Sequence, residues 1–190
     1  MKPVATILYI AFLTVSITSC NSATKKERLE RIDSLGIYLN YVEETIAEFD
    51  SAVIENRITD INQSNQWLGD NITDTLGRVE GLAIGDFFRT GKFLGQAKAR
   101  YNEVSKELRY SKKQVETLRN DVRNSFYGEE EFNGYFNTES QSIAKLVDAT
   151  DELKSKYEIS DTRFKKFKPL AKGIIDSIKT VIYGSEPVSQ

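Results

Sequence analysis

The chain has 190 residues, of which 39% are apolar and 28% are charged, and its formal net charge is −2. This composition is typical of a single folded domain and argues against general disorder, while the small net charge argues against broad binding to nucleic acid or anionic lipid. The sequence has no histidine and one cysteine, which excludes imidazole-dependent catalytic pairs, an intrachain disulfide and a multi-thiolate metal site. We therefore predict no cofactor, no metal site and no nucleic-acid partner.

The N-terminus has the layout of an export signal. Lys2 is followed by an apolar run from Val4 to Ile17, interrupted only by small hydroxyl residues. At about 14 residues the run is shorter than the roughly 20 that a helix needs to cross a bilayer. A basic start, a short apolar region and small residues before a cleavage point indicate a removable signal peptide. We predict that it covers residues 1–19.

The end of this signal is more specific. Ile17-Thr18-Ser19-Cys20 resembles the bacterial lipobox, in which an aliphatic residue and two small residues precede an invariant cysteine. Ile17 stands where leucine is usual. The resemblance implies that Cys20 is joined to a diacylglycerol, that the chain is cut before it, and that the new amino group is acylated. Several acyl chains give stable membrane anchoring. The alternative is an ordinary cleaved signal with an incidental cysteine.

The residues after Cys20 bear on localisation. In the sorting rule of some Gram-negative bacteria, aspartate directly after the lipidated cysteine retains a lipoprotein in the inner membrane. Asn21 therefore favours the outer membrane. Residues 21–26 lack the acidic cluster that marks surface display in some lipoproteins, so we expect the periplasmic face. Residues 20–28 are predicted to be the lipidated cysteine and a flexible tether.

The mature chain shows helical periodicity. Apolar residues separated by three and four positions indicate helices that bury one face, and they predict three helices at about 25–68, 82–127 and 129–183. The second helix has the clearest pattern, which runs from Leu94 to Phe126. Gly69 is a candidate cap for the first helix. Residues 69–95 contain six glycines, so we expect a loop to about Glu80 and a short or irregular helix after it.

Two residues of the third helix could interrupt it. Pro169 removes a backbone donor and is expected to kink or split the helix, and Asp161 could instead cap a new start. Residues 185–190 are predicted to form a polar tail. The fold class is therefore predicted as all-α, an elongated antiparallel three-helix bundle or coiled coil about 65–80 Å long. The lipid would lie at the end that contains the turn at Tyr127 and Gly128, and the glycine-rich loop would lie at the other end.

Aspartate followed by serine or threonine and an apolar residue occurs four times. The pattern resembles the O-glycosylation signal that one large group of Gram-negative anaerobes uses on exported proteins. The candidate sites that it implies are Ser34, Ser51, Thr75 and Ser177. The alternative is that these polar pairs occupy solvated helix faces. Thr75 is the strongest candidate because it lies in the predicted loop.

Aromatic residues gather near the glycine-rich stretch. Trp67, Phe87 and Phe88, with Phe93 nearby, form a candidate partner-binding tip, since exposed aromatics supply much of the binding energy of interfaces. The alternative is that they fill the end of the core.

Charged residues offer two further patterns. A basic cluster interleaved with Phe164 and Phe167 could bind an anionic envelope polymer or form a solvated face. Its members are Arg163, Lys165, Lys166, Lys168 and Lys172. Glutamates share helix faces at Glu27 with Glu30 and at Glu103 with Glu107. Paired carboxylates can perform glycosidic chemistry, but such helical pairs are usually solvated or matched by lysine.

Only three polar residues interrupt the apolar patterns: Ser111, Glu139 and Thr150. They indicate either an internal site or the fixing of helix register at a cost in stability. With no phosphate-binding loop, nucleophile elbow or metal spacing in the sequence, we predict that the protein is not an enzyme.

The function predicted is a lipid-anchored helical module that binds or spaces other envelope components, an unknown protein or polymer. The alternative is an enzyme or small-ligand carrier with a site between the helices. The stretch LRYSKKQVETLRNDVRNSFYGEEEFNGYF also resembles helical lipoproteins of the same Gram-negative anaerobes. No activity is assigned to them, so the resemblance adds a class of protein and no chemistry.

Overall fold

The computed structural model describes the backbone of residues 3–72 and 75–184, and the side chains from Ser22 onward within these ranges. The described residues form four helices and no strand: α1 (Pro3–Ala47), α2 (Ser51–Asn71), α3 (Arg78–Arg123) and α4 (Glu129–Gly184). The all-α prediction is confirmed. The predicted tail, 185–190, lies outside the described residues.

The prediction of one helix over residues 25–68 is wrong, because the chain breaks between α1 and α2. Phe49 lies in this break and is buried, with its ring 4.9 Å from that of Tyr157 in an edge-on arrangement. Asp50 then caps α2, since its carboxylate accepts hydrogen bonds from the backbone N–H groups of Ala52 and Val53. This cap satisfies backbone donors that a continuous helix would have paired internally. Gly69 lies inside α2 and is not its cap.

The glycine-rich stretch is more regular than predicted. α3 begins at Arg78 and continues through Gly81, Gly85, Gly91 and Gly95 without interruption. Buried side chains at Ile84, Phe87 and Leu94 stabilise it through packing, which outweighs a helix-propensity cost of about 1 kcal/mol for each glycine. One glycine has a steric role. A Cβ at Gly91 would lie 3.0 Å from Ile61 Cγ2, so glycine permits the close approach of α2 and α3.

The end of α3 also differs from the prediction. The helix stops at Arg123, four residues early, and Ser125 adopts the left-handed conformation with φ 58°. Phe126 therefore leaves the buried face and is 68% exposed. Gly128 precedes α4, and its N–H donates to Glu131 Oε2 at 3.1 Å, which pairs a backbone donor at the start of the helix.

α4 is interrupted neither at Asp161 nor at Pro169. Buried Phe164, Ala171 and Ile175 lie on both sides of the proline, and their packing holds the helix together across the missing backbone hydrogen bond. Asp161 does not cap a new helix, because it pairs with Arg57 of α2 at 2.6 Å.

The chain divides into two compact units. Unit 1 comprises residues 1–44 and 106–148. Its contacts show that α3 runs antiparallel to α1, since Arg119 pairs with Asp33 at 2.6 Å and Lys112 pairs with Glu43 at 2.6 Å. Among the side chains described in this unit, the buried apolar ones are Ile32, Leu35, Leu39, Val42, Leu108, Val115, Leu118, Val122, Phe132, Ile143 and Leu146.

Unit 2 comprises residues 45–105 and 149–190. Its larger core cluster consists of Ile54, Ile61, Leu68, Ile84, Phe87, Leu94, Phe164, Ala171 and Ile175. Phe49, Ala97 and Leu153 form a second cluster. Arg100 of α3 reaches Glu152 of α4 at 2.7 Å, and Arg163 of α4 reaches Asp86 of α3 at 2.9 Å. These pairs show that α3 and α4 run antiparallel within this unit.

Candidate functional site

The predicted lipidation site lies at the start of α1. The α1 backbone passes through Cys20, but the cysteine side chain lies outside the described residues. The predicted tether is helical as far as it is described, and it packs within unit 1. Lys25 Nζ donates to the backbone oxygen of Arg123, and Arg28 Nη1 donates to that of Tyr127 at 3.0 Å. Lys25 and Arg28, on the helix that contains Cys20, therefore contact the backbone at the end of α3 and in the α3–α4 turn.

Among the described residues, no helix combines the length and the apolar character needed to cross a membrane.

The four candidate glycosylation sites are exposed. Ser34 is in unit 1, where its hydroxyl donates to the Arg31 carbonyl at 2.6 Å, and the other three sites are in unit 2. Ser51 is the first residue of α2, and Thr75 lies in the α2–α3 loop as predicted. Ser177 donates to the Gly173 carbonyl at 2.9 Å. Asp50, which precedes Ser51 in the matching pattern, is engaged as the α2 cap.

The aromatic residues predicted as a binding tip belong largely to the core of unit 2. Phe87 is 2% exposed, and its ring centroid lies 6.0 Å from those of Phe88 and Phe164. Trp67 is half-buried and packs against the same cluster, with Lys179 Nζ 4.9 Å from its ring centroid. An exposed tip is therefore wrong for Phe87, because the apolar face of α3 turns this side chain into the core.

The predicted basic cluster is matched by acids. Lys168 Nζ lies 2.5 Å from Asp60, and Lys172 Nζ lies 2.6 Å from Asp176. Arg163 binds Asp86, and Lys165 binds Asp161 at 2.7 Å. Ion pairs therefore account for four of the five members, and the fifth, Lys166, has its Nζ 5.1 Å from the centroid of the Phe167 ring. The most enclosed pair is Arg57 with Asp161, whose side chains are 16% and 21% exposed. Helical periodicity could not predict this pair, because Arg57 and Asp161 are far apart in the sequence and belong to different helices.

The polar residues that interrupt the helical patterns are divided between the two units. Ser111 and Thr150 are buried and belong to different units. Glu139 is half-buried in unit 1. Burial and the nearby carboxylate of Glu107 raise the pKa of Glu139 above its ordinary value. Two carboxylates that face each other across α3 and α4 are a modest cost to the fold at neutral pH. Of the other three glutamates in the predicted pairs, Glu30 binds Lys26 and Glu103 binds Arg100.

Replacing Glu139 by glutamine should stabilise unit 1 at neutral pH by up to about 1 kcal/mol, the usual scale of a partly exposed charge interaction. A carboxyl whose pKa is raised by folding binds its proton more tightly in the folded state. The free energy of unfolding therefore falls as pH rises from the unfolded-state pKa through the folded-state pKa. The gain should therefore vanish in acid, where both states are protonated. Urea unfolding at several pH values measures it. A Glu139→Gln variant that is less stable than the parent at pH 7 would contradict this account.

A shallow apolar groove, here called the α3–α4 groove, lies on the surface of unit 2. It has a volume of about 410 Å³ and also contains the polar residues Glu80 and Ser177. Its apolar lining consists of Leu76, Pro169, Leu170, Gly173, Ile174 and Ile178. Leu170 is 50% exposed, and further exposed apolar residues follow on the same two helices at Val79, Leu82 and Val181. The groove could not be predicted from the sequence, because it forms only if α4 continues through Pro169 and the proline was expected to kink or split the helix.

A smaller cavity of about 270 Å³ lies in unit 1 between α1 and α4. Leu35, Tyr38, Ile143 and Val147 contribute its apolar surface, with Ser140 and Asp148 as polar neighbours. The titratable side chains among its lining residues are Tyr38 and Asp148. Its chemistry is that of a small apolar depression.

No group of three or more potential metal-ligating side chains occurs among the described residues. Comparison of the chain with protein-family models, with curated proteins and with solved structures finds no match. Function must therefore be argued from this chain's own residues, and the two features that bear on it are the helix leading from Cys20 and the α3–α4 groove of unit 2.

Proposed function

We propose that the protein is a lipid-anchored lipoprotein of the outer membrane that faces the periplasm and binds or spaces other envelope components without catalysing a reaction. The anchor rests on the Ile17-Thr18-Ser19-Cys20 pattern. The packing of Lys25 and Arg28 against the α3–α4 turn supports it, because a fold joined firmly to its anchor can position what it binds. An elongated antiparallel bundle is part of this proposal.

The observation that favours binding over a purely spacing role is the α3–α4 groove. Contiguous apolar patches are uncommon on monomeric proteins and often mark interaction sites, and here Leu170, which lines the groove, is 50% exposed. A partner with an apolar side chain or short helix would bury this surface. The groove's polar residues are few, so the partner is expected to bind mainly through apolar contact.

A photo-crosslinking amino acid at Leu170 tests the binding role in cells. We expect it to capture one reproducible envelope component. The same probe at Tyr110, which is 57% exposed and lies in unit 1, is the matched control and should not capture that component. Equal capture from both positions, or none from Leu170, would contradict the proposal.

The alternative function, a carrier or enzyme with a site between helices, would use the cavity between α1 and α4 in unit 1. Its volume of about 270 Å³ is near the lower limit for small-molecule sites. Native mass spectrometry of protein extracted from cells distinguishes the two functions. A retained small molecule that is lost on substitution of Ile143 by tryptophan would favour the carrier.

A further inference from the structure

The α3–α4 turn, residues 124–128, and the first turns of α4 each present an exposed aromatic side chain. Phe126 is 68% exposed and Tyr135 is 54% exposed. Tyr127 lies between them in the chain, and its ring centroid is 4.9 Å from that of Tyr135. Its hydroxyl donates to Asp121 Oδ2 at 2.6 Å, which contributes to raising the pKa of Tyr127 to about 12. The left-handed conformation of Ser125 further restricts the turn that presents Phe126.

The turn lies beside the helix that leads to Cys20. Lys25 and Arg28 of α1 bind the backbone of Arg123 and Tyr127, so the turn is level with residues 25–28. Cys20 is five to eight residues earlier on the same helix, or about 8–12 Å along its axis. A lipid on Cys20 would therefore hold Phe126 close to the membrane surface.

We propose that Phe126 and Tyr135 enter the headgroup region of the bilayer and act as a second membrane contact beside the lipid. This inference rests on the lipid anchor proposed above. Aromatic side chains favour the membrane interface, where an apolar ring and a polar group are both accommodated. A second contact would restrict the tilt of unit 1 on its anchor, because two points of attachment hold a helix more firmly than one.

The charges around the turn select the kind of membrane surface. The basic residues Lys25, Lys26, Arg28 and Arg123 are offset by the acidic residues Glu27, Asp121, Glu129, Glu130 and Glu131. Attraction to anionic headgroups needs an excess of basic residues, which this end does not have. The contact therefore depends on the aromatic rings, and it should form on zwitterionic phospholipid and persist in high salt.

Tryptophan fluorescence in vesicles tests the contact. The lipidated protein, purified from cells with Trp67→Phe to remove its only tryptophan, is reconstituted in phosphatidylcholine vesicles. Some lipids carry a nitroxide quencher near the headgroup. The Phe126→Trp variant should lose much of its fluorescence and shift to shorter wavelength. Tyr110→Trp is the matched control, because Tyr110 is also exposed and in unit 1 but lies about 20 Å from the end of α3. Its tryptophan fluorescence should not be quenched.

Flotation of the same vesicles separates the two proposals. If the Phe126→Trp variant floats with the vesicles while its fluorescence remains unquenched, the second contact is overturned and the anchor is left intact. Equal quenching of both variants would also overturn the proposal, because unit 1 would then lie along the surface instead of meeting it only beside the lipid. Protein that does not float would overturn the anchor, and with it this inference.

Discussion

Replacing Phe87 by alanine should lower the free energy of unfolding of unit 2 by about 3–5 kcal/mol, the usual cost of truncating a fully buried phenylalanine. Phe87 is 2% exposed, and it contacts the aromatic rings of Phe88 and Phe164. The loss combines the transfer free energy of the ring with the cavity that remains. If Phe87 instead belonged to an exposed binding tip, the same substitution would leave stability nearly unchanged.

Trp67 provides the measurement. It packs against the core cluster that contains Phe87, so its fluorescence in urea reports the unfolding of unit 2 without assuming that both units unfold together. Leu82→Ala is the control, because Leu82 lies on the same helix but is 63% exposed. Its cost should be within about 0.5 kcal/mol. Equal costs for the two variants would contradict the core assignment.

The Asp161→Asn substitution should destabilise unit 2 by about 1–3 kcal/mol at neutral pH, the scale of a charged hydrogen bond that is partly buried. The carboxylate pairs with Arg57 at 2.6 Å and Lys165 at 2.7 Å. Arg57 also lies over the Phe164 ring at 5.0 Å. Asparagine would leave the guanidinium without its counter-charge at a site where its side chain is only 16% exposed.

The effect has a definite pH dependence. Burial alone would raise the pKa of Asp161, but hydrogen bonds from Lys165 and Arg57 outweigh it and hold the pKa below its ordinary value. A depressed folded-state pKa gives stability that is present above the unfolded value and is lost as pH falls through the folded value. The difference between the parent and Asp161→Asn should therefore shrink in acid.

Asp176→Asn is the matched control for this prediction. Asp176 binds Lys172 at 2.6 Å, but the two side chains are 52% and 69% exposed. Its loss should cost well under 1 kcal/mol. Urea unfolding of the three proteins at neutral and acid pH makes the comparison. An Asp161→Asn variant as stable as Asp176→Asn at pH 7 would show that the enclosed pair makes no special contribution.

Periodicity predicted the buried faces well where the helix continued. Ile32, Leu35, Leu39 and Val42 are all buried, because a spacing of three and four places them on one face. Periodicity could not predict where helices stop. Asp50 was interpreted as part of a glycosylation pattern, yet it caps α2. An aspartate and a serine before an apolar residue are compatible with a glycosylation pattern and with a helix N-cap. Only the surrounding packing decides whether a helix starts there.

Tertiary packing also explains the other boundary errors. Glycine and proline are weak helix formers in isolation, but buried neighbours on both sides of Gly91 and Pro169 keep α3 and α4 intact. The groove at Leu170 forms because α4 is continuous there. An interpretation in which α4 breaks at Pro169 could not predict it. Cys20 is the opposite case. Its proposed role rests on a local motif, which sequence alone can supply.

The anchor on Cys20 is the central claim, and mass spectrometry of protein extracted from membranes tests it most directly. Digestion with trypsin should release an N-terminal peptide that starts at Cys20 and ends at Lys25. Its mass should exceed that of the unmodified sequence by a diacylglyceryl group and one amide-linked acyl chain. An unmodified Cys20, or a mature chain that begins at another residue, would contradict the account.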